Sequence, residues 1–190
     1  MRTQVFKTLL IGLCLTLAGC QLGSGLVGRT DMVILDGAMQ IAAPTGYCIE
    51  PQAGRVAATT TVVFLGRCSA QSKAAAAVVT ISIGAPASGG VTTAGAAALA
   101  DFFKSEPGRA ALSRSGKAQD VRLITARGTA SVLWLYLEDA DIGSYWRAIT
   151  AVRGRLVTLS ATGIVGHPLL PEAGLALLQS TYAALQKANR

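Results

Sequence analysis

The sequence predicts an α+β domain: an antiparallel sheet ending in a four-strand meander, with one mid-chain helix and one C-terminal helix packed on it. Three observations carry this. Residues 77–84 (AVVTISIG) alternate, with Val79, Ile81 and Ile83 on one face and Thr80 and Ser82 on the other. Residues 121–162 hold four β-type runs separated by short turn signals. Leu175, Leu178, Tyr182 and Leu185 fall at i, i+3, i+7 and i+10, one stripe of a helix. Strands, then a helix, then strands, then a helix is the order of an α+β chain rather than of alternating βα units.

The elements follow in chain order. Residues 20–37 open Cys-Gln-Leu-Gly-Ser-Gly and are expected to be a flexible tether, the domain proper running from 38 to 190. Residues 38–43 are short and apolar, a first strand. Pro44-Thr45-Gly46 signals a turn. Residues 47–50 make a short strand carrying Cys48, 51–58 a loop, and 61–68 a β-branched and aromatic strand. After the 77–84 strand, Thr92 or Thr93 is expected to cap a helix whose apolar side is Leu99, Phe102 and Phe103. Pro107-Gly108 interrupts it, because proline forfeits a helical hydrogen bond, and residues 110–114 add a further turn. Residues 121–126 are a strand, and Arg127-Gly128 reads as a hairpin turn. Residues 130–138 (ASVLWLYLE) are apolar on both faces, as a central strand covered on both sides would be. Residues 144–152 and 155–162 are two more strands joined at Arg153-Gly154, and the last helix spans about 172–188.

Composition bounds the partners. Charged residues are 14% of the chain and hydrophobic residues 51%, which is a folded domain and not a disordered one. The formal net charge is +7. A basic balance suits anionic lipid, lipopolysaccharide or wall polymer. There is no basic helix and no aromatic-plus-glycine RNA motif, so nucleic acid is not an expected partner.

The first 20 residues, MRTQVFKTLLIGLCLTLAGC, say where the protein goes. Arg2 and Lys7 make a basic start, residues 8–19 an uncharged apolar run, and Leu17-Ala18-Gly19-Cys20 a small-residue close: a secretory signal. A transmembrane helix needs about 20 apolar residues, and residues 8–19 are 12. A soluble protein's signal with a stray cysteine is the other reading. The Leu-Ala-Gly-Cys close resembles the lipobox of bacterial lipoproteins. That resemblance implies cleavage before Cys20, thioether lipidation of its sulfur and acylation of the new N-terminus. The product is a periplasm-facing protein held to the cell envelope. Gln21 stands where enterobacterial lipoproteins retained at the inner membrane carry Asp, so the chain resembles the outer-membrane-sorted class. Without residues 1–19 the chain has 171 residues and, having lost Arg2 and Lys7, a net charge of +5.

Four cysteines then divide cleanly. Cys14 leaves with the signal and Cys20 takes lipid, which leaves Cys48 and Cys68 as an even pair in an oxidising compartment. A disulfide is expected, against the alternative of two separately buried thiols; a redox pair would more commonly be Cys-x-x-Cys.

The mature chain also resembles, loosely, the PsbP/Mog1-like fold that some bacterial lipoproteins carry. The matching features are Pro44-Thr45-Gly46-Tyr47, the helix after residues 77–84 and the closing helix. The resemblance implies an accessory or binding protein and names no reaction.

Candidate chemistry is sparse. His167 is the single histidine, between Gly166 and Pro168, and no Gly-x-Ser-x-Gly elbow accompanies it. One histidine and an oxidised cysteine pair do not make a zinc site, and no metal or cofactor is expected. Glu138, Asp139 and Asp141 are the acid cluster; they suit general acid/base work or a partial calcium loop, against the plainer reading of a solvated turn. Lys117 follows Gly116 without the spacing of a phosphate loop and reads as a helix exit. In a meander alternate turns share one end of the sheet. Arg127, Arg153 and Arg155 should therefore gather at one rim, able to contact phosphate or carboxylate, and the acids at the other. The expectation is a non-enzymatic binding or assembly accessory anchored through Cys20. The alternative is an envelope hydrolase or transferase acting on wall polymer or lipid, with Glu138, Asp139 or Asp141 as acid/base.

Overall fold

A computed structural model describes residues 28–50, 54–57 and 59–190. The signal, Cys20 and the first part of the expected tether lie outside the described residues. Among the described residues ten strands and three α-helices follow the segregated order of an α+β chain: β1 (Asp31–Ile34), β2 (Met39–Ala42), β3 (Tyr47–Ile49), β4 (Arg55–Val56), β5 (Thr61–Arg67) and β6 (Ala77–Ile83) precede α1 (Gly95–Lys104) and α2 (Glu106–Leu112). Then come β7 (Val121–Gly128), β8 (Val132–Asp139), β9 (Gly143–Val152), β10 (Arg155–Gly163) and α3 (Pro171–Ala188). The main sheet is antiparallel in the order β3-β5-β6-β10-β9-β8-β7, with β4 paired to β5; β1 and β2 form a separate hairpin.

Folded structure begins earlier than residue 38. Asp31–Ile34, inside the stretch expected as tether, pairs with Met39–Ala42 in register Ile34 to Met39. The Ile49 amide donates to the Arg29 carbonyl at 2.7 Å, so residues just after 28 already lie against β3. Gly28 passes close to the cross-link between Cys48 and Cys68, which are joined by a disulfide: a Cβ on Gly28 would stand 2.5 Å from the Cβ of Cys48.

The strands bury what their alternation separates. Val63 and Leu65 of β5, Val79, Ile81 and Ile83 of β6, and Val157 and Leu159 of β10 form one core with Trp134, Trp146 and the α3 leucines 178 and 185. The β1–β2 hairpin supplies Ile34, Met39 and Ile41 to the same core. The opposite face of β7 to β9 carries Leu133, Leu135, Leu137, Tyr145 and Ile149 against Phe103 of α1 and Leu112 of α2. So β8 is apolar on both faces because helices cover both. It is not central, however: only β7 lies between it and the sheet edge.

Two local expectations give way. The mid-chain helix is two helices entered through a 3₁₀ segment, Ser88–Ala94. Thr92 and Thr93 do not cap α1; their hydroxyls donate back to the carbonyls of Gly89 and Gly90 at 2.8 and 2.7 Å. Pro107 does not merely break a helix. It sits in the first turn of α2, where its missing N–H has no intrahelical partner to lose, and Ser105 Oγ caps that turn by accepting from the Gly108 amide. The turn read at Arg127-Gly128 lies instead after Gly128, where the Thr129 amide donates to the Val132 carbonyl at 2.9 Å. Gly128 stays in the strand because α1 crosses it: a Cβ there would meet the Cβ of Ala96 at 2.5 Å. At Arg153-Gly154 both residues have positive φ, 49° and 73°, the conformation a two-residue hairpin with the right twist requires.

Candidate functional site

The acid cluster is consumed by the β8–β9 turn. Glu138 accepts from Arg122 Nε at 2.8 Å across the β7–β8 pair. Asp139 is 3% exposed, and its Oδ1 accepts from the amides of Asp141 and Ile142 at 2.9 and 3.3 Å, an Asx turn. Asp141 is exposed at the tip. One carboxylate is thus ion-paired, one closes a turn and one is solvated. Among the described residues no group of three His, Cys, Asp or Glu side chains could hold a metal ion. His167 is exposed and its amide donates to the Ile164 carbonyl at 2.9 Å, closing a tight loop. Lys117 is exposed at the entry to a short 3₁₀ turn, Ala118–Asp120.

The three arginines share an end of the sheet and have three different surroundings. Arg127 belongs to β7 and holds its Cζ 5.8 Å from the centre of the Trp146 ring. Arg153 stands exposed on the β9–β10 turn. Arg155 is 9% exposed, and its Nη1 donates to the carbonyls of Thr59 and Gly84, both at 2.9 Å. It ties the β10 entry to the chain before β5 and after β6. A guanidinium committed to two carbonyls is not part of a free rim. The two exposed ones, Arg127 and Arg153, are also offset along the sheet: Arg127 is level with Trp134 and Ala148, whereas Arg153 lies beyond Val152.

A fourth arginine, Arg147, is half-buried in the middle of β9. It points from β9 toward the helices. Its Nε donates to Ser160 Oγ at 3.2 Å, its Nη1 to the Leu112 carbonyl at 3.0 Å, and its Cζ lies 5.4 Å from the centre of the Tyr145 ring. Burial lowers its pKa, opposed by the Tyr145 and Asp139 side chains. Among the described residues no carboxylate forms an ion pair with it. Beside it, between α1, α2 and the β9–β10 strands, opens a cleft of about 300 Å³ walled by Val91, Phe102, Leu112, Ile149 and Leu156. Val91 is 53% and Phe102 46% exposed.

Arg147 escapes a reading of sequence because it sits inside an apolar strand run, Tyr-Trp-Arg-Ala-Ile. The only available signal is that one cation among so many apolar neighbours needs a reason. Family models, curated proteins and solved structures give no match to this chain.

Proposed function

We propose that this chain is a lipid-anchored protein of the bacterial envelope whose domain serves as a binding or assembly accessory rather than as a catalyst. The observation that supports this most is the Cys48–Cys68 cross-link. Bonds of this kind persist in oxidising compartments and are rare in the cytosol, which agrees with the export signal ending in Leu17-Ala18-Gly19-Cys20. A single acyl chain anchors weakly and reversibly, and two or more hold stably. A triply acylated Cys20 would keep the domain at the bilayer, facing the periplasm, with the outer membrane as the destination that Gln21 suggests. Among the described residues no helix is long and apolar enough to cross a membrane.

The likeness to the PsbP/Mog1-like fold belongs to the same proposal. It is supported by the order of strands, helices, the β7-to-β10 meander and a closing helix. The competing enzymatic reading would need Glu138, Asp139 or Asp141 free in a pocket, and their present hydrogen bonds and exposure give it no support. Anionic lipid or wall polymer remains the proposed partner class, with Arg127 and Arg153 as the exposed contacts.

The test is chemical. The wild-type chain should carry acyl mass on Cys20 and fractionate with membranes, and Cys20→Ser should lose both. An unacylated wild type, or a serine variant that still sediments with membranes, overturns the proposal.

A further inference from the structure

We infer that the cleft beside Arg147 is a binding site for a single-chain fatty-acyl carboxylate, its head on the guanidinium and its chain along the apolar walls. The inference deepens the binding role proposed above by naming a ligand class, and stands or falls independently of the anchor.

Charge complementarity selects the head. Arg147 carries five N–H donors, of which Nε and one on Nη1 are used by Ser160 Oγ and the Leu112 carbonyl. Both acceptors are neutral. The Asp139 carboxylate acts on this half-buried guanidinium only from a distance, and among the described residues none touches it; such a group favours an anion in contact, because a charge held out of water is stabilised by an opposite one far more than on an open surface. A carboxylate meets the planar fork with two parallel hydrogen bonds. Thr158 lines the same cleft and adds a hydroxyl.

The walls select the body. Val91, Phe102, Leu112, Ile149 and Leu156 are apolar, and two of them are about half exposed. Two exposed apolar side chains beside a half-buried cation give the cleft the mixed lining of a ligand site, mostly apolar with a placed charge. The cleft's 300 Å³ lies at the small end of ligand pockets, room for one chain rather than two. Beyond Thr158 the same face of the sheet continues as Ser160 opposite Thr80, with Ser82 opposite Thr158, all half-buried and uncharged. A second anionic group along the ligand would find no cation there.

The experiment uses the full chain in nanodiscs of neutral phosphatidylcholine and a diazirine-bearing hexadecanoic acid, with crosslinked peptides located by mass spectrometry. Expected is saturable labelling of the peptides holding Phe102 and Leu156, competed by unlabelled hexadecanoic acid. Arg147→Gln should weaken it about tenfold or more, the loss of a hydrogen bond to a charged group, and Arg147→Lys by less. Phe102→Ser, at an exposed position, should weaken it without altering the circular dichroism spectrum. Equal labelling by the matching diazirine alcohol would overturn the inference, since the cation would then select nothing. So would displacement by inorganic phosphate alone, non-saturable labelling spread over the surface, or crosslinks showing two copies of this chain covering the cleft from each other.

Discussion

Asn189 and Gln40, 149 residues apart, are joined as two strands would be: Asn189 Nδ2 donates to the Gln40 carbonyl at 2.7 Å, and the Gln40 amide donates to Asn189 Oδ1 at 3.0 Å. The same Nδ2 donates to the Leu185 carbonyl at 2.8 Å. One side-chain amide thus caps the last turn of α3, whose final carbonyls lack intrahelical partners, and continues the ladder of β2. It fastens the two-stranded hairpin, which would be marginal alone, to the helix that covers the main core.

Replacing that amide should loosen the hairpin before the sheet. Asn189→Ala is expected to cost about 1–2 kcal/mol, the net worth of the lost hydrogen bonds. Asn189→Asp should cost at least as much, because a carboxylate oxygen would face two carbonyls. Urea unfolding gives the energy, and hydrogen exchange should show the Gln40 amide losing protection while the β9 amides keep theirs.

The disulfide closes a loop of 20 residues between β3 and the end of β5. In the chain-entropy account such a loop contributes about 3 kcal/mol. The double variant Cys48→Ala/Cys68→Ala should lose about that much in urea, and reductant should bring the wild type down to the same midpoint while leaving the variant unmoved.

Two buried tyrosines should contribute to a loss of stability at alkaline pH. Burial raises the pKa of Tyr47, opposed by Arg67, and burial raises that of Tyr145, opposed by Arg147. A phenol whose folded value stands above its unfolded value near 10 leaves stability unchanged below that pH. Stability then falls as pH climbs from about 10 through the folded value. The two hydroxyls differ at neutral pH. Tyr47 donates to the Ala75 carbonyl at 2.8 Å, whereas the Tyr145 hydroxyl has no partner among the described residues. Tyr47→Phe should cost about 1 kcal/mol, and Tyr145→Phe should be neutral or stabilising by up to about 1 kcal/mol. Each should flatten the decline above pH 10, and thermal melts from pH 7 to 11 check both statements.

The arginines at the β9–β10 turn should separate cleanly. Arg155→Met strands the carbonyls of Thr59 and Gly84 and should cost about 2–3 kcal/mol. Arg153→Gly relieves a non-glycine residue at φ 49° and should be neutral or stabilising by about 1 kcal/mol. Denaturant midpoints decide it, and a rank order reversed from this one would mean that the two guanidiniums had been assigned the wrong surroundings.

Much of the sheet was readable from residues alone. The alternation in β6, Val79, Ile81 and Ile83 against Thr80 and Ser82, became buried against half-buried side chains as expected. The hairpin at Arg153-Gly154 and the extent of α3 were equally legible, because turn geometry and a helical stripe are written in consecutive residues. Where reading failed, a distant element had overruled a local signal. Gly128 looked like a turn glycine, and α1 needed its bare backbone for a close crossing. Thr92 and Thr93 looked like caps, and their hydroxyls were already engaged within the 3₁₀ segment. Asp31–Ile34 looked like tether and found a partner strand.

Sequence by itself determined which side chains of β5, β6 and β10 go inward and singled out Cys48 and Cys68 as a pair. It did so because periodicity and spacing are properties of neighbouring residues. Only the tertiary structure decided which charged groups remain available. Arg155 is spent on two carbonyls, Glu138 on Arg122, and Asp139 on its own turn, while Arg147 is left beside an apolar cleft with no carboxylate in ion-pair contact among the described residues. Those outcomes depend on which strand lies opposite which, and chain order does not state that until the sheet has closed.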